Sequence, residues 1–347
     1  MQPTTSRRLP VTVVTGFLGA GKTTLLRHLL LNSGQRLAVL VNEFGEVGID
    51  GDLLRSCGFC PDDDLDGRLV ELANGCLCCT VQDDFIPTME QLLQRSDQLD
   101  GIVVETSGLA LPEPLVAAFG WPEIRSRTRV NGVVAVVDGE ALAAGAVVAD
   151  PGALERQRRL DPSLDHATAI DELFAEQLEA ADLVVVSRAD RIDADALERV
   201  QQRVMAAVRP GTPVLPVQRG ALDPAVALGI DAPEASHQDH DEEHHHHDHA
   251  HVAMEAMALQ LPGCFERQAL EQGLAQLIRN HGLVRLKGRL WLEGKALPLQ
   301  IQAAGPRLEC WFEGQAGMGA PPGLELVLMG FGLDREAIRA RLASLAA

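Results

Sequence analysis

Residues 16 to 23 read Gly-Phe-Leu-Gly-Ala-Gly-Lys-Thr, directly after the short β-branched run Val11 to Thr15. Thr24 to Leu31 then continues with the pattern of a helix. Strand, glycine-rich loop and helix in that order form a P-loop, and this constrains the chain more than any other feature. The glycines let the backbone curl so that its N–H groups face phosphate oxygens, and the helix N-terminus adds positive potential. The residues expected around a bound nucleotide are Gly16, Gly19, Ala20, Gly21, Lys22, Thr23 and Thr24. Lys22 is expected to reach the β- and γ-phosphates, and Thr23 to place its hydroxyl on Mg2+.

Further short apolar runs occur at Leu37–Val41, Ile102–Val104, Val133–Val137 and Leu183–Val186. Near-continuous apolar runs of this length suit strands buried on both faces of a parallel sheet. Helical patterns lie between them, such as Leu173, Phe174, Gln177 and Leu178. The alternation predicts an α/β fold with a doubly wound, mostly parallel sheet. Glu105 ends one run and precedes Thr106-Ser107-Gly108. A carboxylate at that strand end is placed to hold Mg2+ through water or to orient an attacking water, and the Gly108 N–H to approach a γ-phosphate. Asn42-Glu43-Phe44-Gly45 follows another run, where Glu43 can sense the γ-phosphate or a metal. Lys22, Glu105 and Glu43 are the expected catalytic residues of a nucleoside triphosphate hydrolase.

Selectivity for a base is less sharply written. The run ending at Val186 leads into Ser187-Arg188-Ala189-Asp190, where a guanine-reading loop usually carries Asn-Lys-x-Asp. Asp190 keeps the acid that accepts hydrogen bonds from guanine. Arg188 can cover the base with its apolar stem, and Ser187 stands in place of Asn.

Seven cysteines are present, and Cys76, Cys78 and Cys79 fall within four positions. Such a cluster points to metal binding or redox chemistry more than to disulfides. Three thiols favour a soft or borderline cation such as Zn2+, Co2+ or Cu+. Adjacent cysteines rarely both face one ion, so two thiolates plus a third ligand are expected, with Glu43 or water completing a tetrahedron. Cys57 and Cys60 form a separate Cys-x-x-Cys in a Gly- and Asp-rich stretch, read equally as two incidental thiols or as an auxiliary metal site. Residues 232 to 252 are rich in Asp, Glu and His, with little to bury. Among them His244, His245, His246, His247 and His249 suit weak, auxiliary capture of metal ions.

After that stretch the period changes. Val284, Leu286, Leu290 and Leu292 alternate with Arg285, Lys287 and Arg289, the pattern of a half-exposed antiparallel sheet. Asp334 is placed to cap a last helix carrying Ile338, Leu342 and Leu345. Three parts are therefore expected: residues 1–230 as the nucleotide domain, 231–253 as a linker, and 254–347 as a smaller α+β domain. A net charge of −19 and aromatics at only 3% argue against nucleic acid as a partner. No apolar run reaches the ~18 residues that span a bilayer, so no membrane role and a cytoplasmic location are expected.

Together Gly16 to Thr23, Asn42 to Gly45, Gly75-Cys76-Leu77-Cys78-Cys79 and Glu105 to Gly108 resemble the CobW family of P-loop GTPases. The likeness spans nearly the whole chain. Val70 to Met89, Glu105 to Val116 and Trp121 to Arg127 lean toward its cobalamin-biosynthesis branch. The resemblance implies a GTP-dependent metallochaperone using Mg2+, loaded with Co2+ and serving a cobaltochelatase or another metal-accepting client. Zn2+ accepts a tetrahedral thiolate site as Co2+ does, and intrinsic affinity favours Zn2+ over Co2+.

Overall fold

The computed structural model describes residues 8–41, 69–71, 81–160, 170–229, 254–314 and 321–346. Its contacts divide the chain into two units, Met1–Ile230 and Asp231–Ala347.

The first unit carries seven described strands: β1 (Leu9–Thr15), β2 (Leu37–Val41), β3 (Leu69–Glu71), β4 (Gly101–Glu105), β5 (Thr128–Asp138), β6 (Leu183–Ser187) and β7 (Val214–Pro216). They form one sheet in the order β3-β2-β4-β1-β5-β6-β7, and every pairing is parallel. β1 is central, with the chain wound outward from it in both directions, as the alternating runs predict. β1, β4 and β6 are buried at every position, which is why their sequences are apolar throughout rather than alternating.

The described helices are α1 (Lys22–Asn32), α2 (Val81–Leu93), α3 (Pro112–Ala118), α4 (Gly139–Ala143), α5 (Pro151–Leu160), α6 (Ile170–Ala180), α7 (Ala194–Met205) and α8 (Pro224–Leu228). Two apolar clusters hold six of them to the sheet. In one, Phe85 and Met89 of α2 and Leu115 and Ala118 of α3 pack on Val11, Val13, Ile102 and Val104. In the other, Leu154 of α5, Phe174 and Leu178 of α6 and Val200 and Val204 of α7 pack on Ala135, Val137, Val184 and Val186.

The second unit is an antiparallel sheet of β8 (Met254–Pro262), β9 (Leu283–Trp291), β10 (Leu299–Ala304), β11 (Arg307–Phe312) and β12 (Gly323–Phe331), ordered β11-β10-β9-β12-β8. Helices α9 (Arg267–Asn280) and α10 (Arg335–Ala343) supply Leu270, Leu274, Leu277, Ile338 and Leu342 to its core. Asp334 caps α10, its carboxylate accepting from the Ala337 N–H at 2.9 Å. The expected solvated stripe on β9 is only partly so. Lys287 and Arg289 are exposed, the latter paired with Glu325 at 2.6 Å, but Arg285 is buried at 5% exposure. No described helix is long and apolar enough to cross a membrane.

Candidate functional site

The register of the parallel sheet lines up four strand ends. Val14 of β1 pairs with Glu105 of β4, Glu105 with Val41 of β2, and Val41 with Glu71 of β3. The chain leaves each strand at the same edge of the sheet. Ligands of open α/β sheets bind at that edge, beside the point where the strand order reverses.

The loop between β1 and α1 curls as the glycine spacing requires. Gly16, Gly19 and Gly21 adopt φ of 136°, 75° and 103°, a region open to glycine and costly for other residues. Gly16 also has no room for a side chain, since a Cβ there would lie 2.2 Å from the Val136 carbonyl oxygen. Gly21 caps α1 with no side-chain hydrogen bond, so the first N–H groups of the helix are open toward the loop. Ala20 is buried, Thr23 is half-buried and Thr24 is exposed.

Lys22 is buried, and its ammonium is held from two sides. It donates to the Phe17 carbonyl at 3.3 Å and pairs with Glu105 Oε1 at 3.6 Å. Both charges are more than nine-tenths buried, where a pair survives only with further polar partners or a ligand that shares the charge. Glu105 thus stands beside the expected phosphate lysine, with Thr23 one residue further on.

The loop after β4 is pressed against the P-loop. The Thr106 hydroxyl donates to Thr15 Oγ1 at 2.9 Å. Gly108 lies so near that a Cβ would be 2.6 Å from the Leu18 nitrogen. Gln177 of α6 closes this arrangement from behind, donating to the Gly108 and Ala110 carbonyls at 3.3 and 3.1 Å. The sequence pattern reads Gln177 only as part of a helical stripe. Its polar character in an otherwise apolar face was the one available sign of this tie.

The loop after β6 also reaches the P-loop. The Ser187 hydroxyl donates to the Ala20 carbonyl at 2.6 Å, and Arg188 Nη2 to the Gly19 carbonyl at 2.8 Å. The other arm of Arg188 pairs with Asp138, whose second oxygen caps α4 by accepting from the Glu140 and Ala141 N–H groups. Arg188 is in the left-handed region, with φ of 54°. Asp190 is exposed in the single 3-10 turn that follows.

The fit to a magnesium-bound nucleotide rests on these observations. Three loop glycines hold the positive φ that curls the backbone, and a buried lysine and carboxylate face each other beside it. Glu43, Cys57, Cys60, Cys76, Cys78, Cys79 and the histidines 244 to 247 and 249 lie outside the described residues. Among the described residues no three His, Cys, Asp or Glu side chains gather as a metal site. Of the two described cysteines, Cys264 is exposed, and burial together with Glu271 pushes the Cys310 thiol up to about 12.

Comparison with known proteins matches residues 10–216 to the CobW/HypB/UreG nucleotide-binding domain. Residues 254–346 match the cobalamin synthesis protein cobW C-terminal domain. The chain is 46% identical over 344 residues to a protein of Pseudomonas aeruginosa named zinc chaperone CobW, covering 97% of this chain and 92% of that one. It is 42% identical to a Sinorhizobium protein of the same name, covering 97% of each. It is 27% identical to the Escherichia coli zinc chaperone YjiA, over 97% of this chain and 98% of that one.

Proposed function

This chain belongs to the CobW/HypB/UreG family of P-loop GTPases, and we propose that it is a metal chaperone that binds Zn2+ under the control of GTP and hands it to a client metalloprotein. The observation that carries the reading is likeness along the full length, at 46% and 42% identity, to two proteins named zinc chaperone. The expectation of Co2+ and a cobaltochelatase draws no support from those names. The order of intrinsic affinities also favours zinc at a thiolate site.

In this reading Lys22 and the N–H groups from Gly16 to Thr24 hold the phosphates. Thr23 and Glu105 hold Mg2+, whose charge would offset that building on the γ-phosphate. Glu105 or Glu43 orients the attacking water, and the Gly108 N–H meets the γ-phosphate. Asp190 reads guanine, flanked by Ser187 and Arg188. Cys76, Cys78 and Cys79 take the transported ion, with Glu43 as a further ligand and the histidines between 244 and 249 as auxiliary binders.

The register supports a link between the two sites. β3, from which the chain runs toward Cys76, ends three strands from β1, roughly 14 Å across the sheet at ~4.8 Å per strand. The deciding experiment is competition between Zn2+ and Co2+ for the protein with a magnesium-bound, non-hydrolysable GTP analogue, read by metal analysis after dialysis. Zinc retained at one equivalent, and lost in Cys78→Ser, is expected. Retention of cobalt over zinc would restore the cobalt reading. Metal affinity that is the same with analogue, with GDP and without nucleotide would remove the chaperone switch.

A further inference from the structure

Ser107 lies between two residues fastened to the P-loop strand and its loop. On one side the Thr106 N–H donates to the Val14 carbonyl at 2.9 Å and its hydroxyl to Thr15. On the other, Gly108 abuts the backbone of Leu18. The Ser107 carbonyl accepts from the Ala110 N–H at 3.0 Å, and Gln177 grips the two carbonyls of Gly108 and Ala110. The backbone around Ser107 is therefore fixed from three directions. Ser107 is 6% exposed, and its hydroxyl has no hydrogen-bond partner among the described residues. A buried hydroxyl in that condition carries a desolvation penalty, and native structures rarely retain one without a use. Glu105, two residues back, faces Lys22 at 3.6 Å.

We propose that the Ser107 hydroxyl is a binding group for the terminal phosphate of the nucleotide, donating a hydrogen bond to a γ-phosphate oxygen. The inference rests on the GTPase reading of this site and adds a residue to it. A hydroxyl suits the task, because it is a neutral donor that brings no charge against Glu105, and a bond to an ionised phosphate is stronger than one between neutral groups. The bond exists only with a triphosphate, since GDP has no γ-phosphate to accept it. Ser107 thereby gives the loop a way to tell the two nucleotides apart, and differential affinity of this kind is what a nucleotide switch requires.

The test is Ser107→Ala in the full chain, with Mg2+. Three quantities are read: affinity for a non-hydrolysable GTP analogue, affinity for GDP, and the melting temperature without nucleotide. Analogue affinity is expected to fall by about tenfold, the size of one hydrogen bond to a charged group. GDP affinity stays level, and the nucleotide-free protein melts at the same temperature or higher, because an unsatisfied buried hydroxyl has been removed. Ser107→Cys, with a weaker donor of similar shape, is expected to lie between the two. Equal changes for analogue and GDP, or none for either, overturn the proposal. A lower melting temperature without nucleotide in both variants assigns Ser107 to structure alone and also overturns it. A wild-type protein that binds neither nucleotide removes the GTPase reading itself, which separates the two failures.

Discussion

Arg188 holds a left-handed backbone conformation that side chains adopt at a cost of about 1 kcal/mol. What offsets that cost is the two-armed contact of its guanidinium, one arm on Asp138 and the other on the Gly19 carbonyl. A lysine carries a single ammonium and cannot reproduce such a fork. Arg188→Ala is therefore expected to lower stability by about 1–2 kcal/mol, discounted because the side chain is about one-third exposed. It is also expected to weaken both GTP and GDP binding, since the P-loop backbone loses a support. Arg188→Lys should recover part of each, as read by urea denaturation and nucleotide titration. A lysine variant equal to the wild type in both would show that the fork has no consequence. The glycines, Lys22 and Glu105 were legible in the sequence because their chemistry depends on local order along the chain. The support given by Ser187, Arg188 and Gln177 was not. Each acts on a loop 67 to 169 residues away, and no local pattern records where such a side chain points.

Among the elements, α2 carries the plainest consequence. It begins at Val81, two residues past Cys79, and it is held to the sheet by Phe85 and Met89, which are 1% and 0% exposed. Phe85 meets Phe119 and Trp121 edge to face, with ring centroids 5.4 and 6.2 Å apart. Phe85→Ala should cost about 3–5 kcal/mol in chemical denaturation, as expected for an aromatic cut from a packed core, and Phe85→Leu clearly less. An alanine variant within 1 kcal/mol of the wild type would mean that α2 is not anchored there. The same contrast between local and distant information decides which elements could be read in advance. β1, β2, β4, β5 and β6 announced themselves as apolar runs because the sheet buries both their faces. β7 is three residues long and holds a proline, too short for any period to show. β8 and β12 mix alanine, methionine and glycine into their open faces, which blurs the alternation that made β9 visible.

For the molecule as a whole, the decisive quantity is the coupling between nucleotide and metal. β3, β2, β4 and β1 all end at one edge of the first sheet, so the segments that follow them start within about three strand spacings of one another. The segment after β1 leads to Lys22, β4 itself ends on Glu105, and the segments after β2 and β3 lead to Glu43 and to the three clustered cysteines. If GTP tightens zinc binding by tenfold over GDP, the coupling is about 1.4 kcal/mol. Linkage then requires zinc to favour the GTP analogue over GDP by the same tenfold, whichever ligand is added first. Both factors are measurable by titration calorimetry on the full chain, at fixed pH because thiolate ligands release protons as they bind. Lys22→Ala should leave zinc affinity near its nucleotide-free level at every nucleotide concentration, and Cys78→Ser should leave analogue affinity unchanged by zinc. Two wild-type factors that both equal one would mean that the sites share an edge of the sheet without sharing a switch. In that case the metal would be a permanent part of the protein, and GTP hydrolysis would serve some other step.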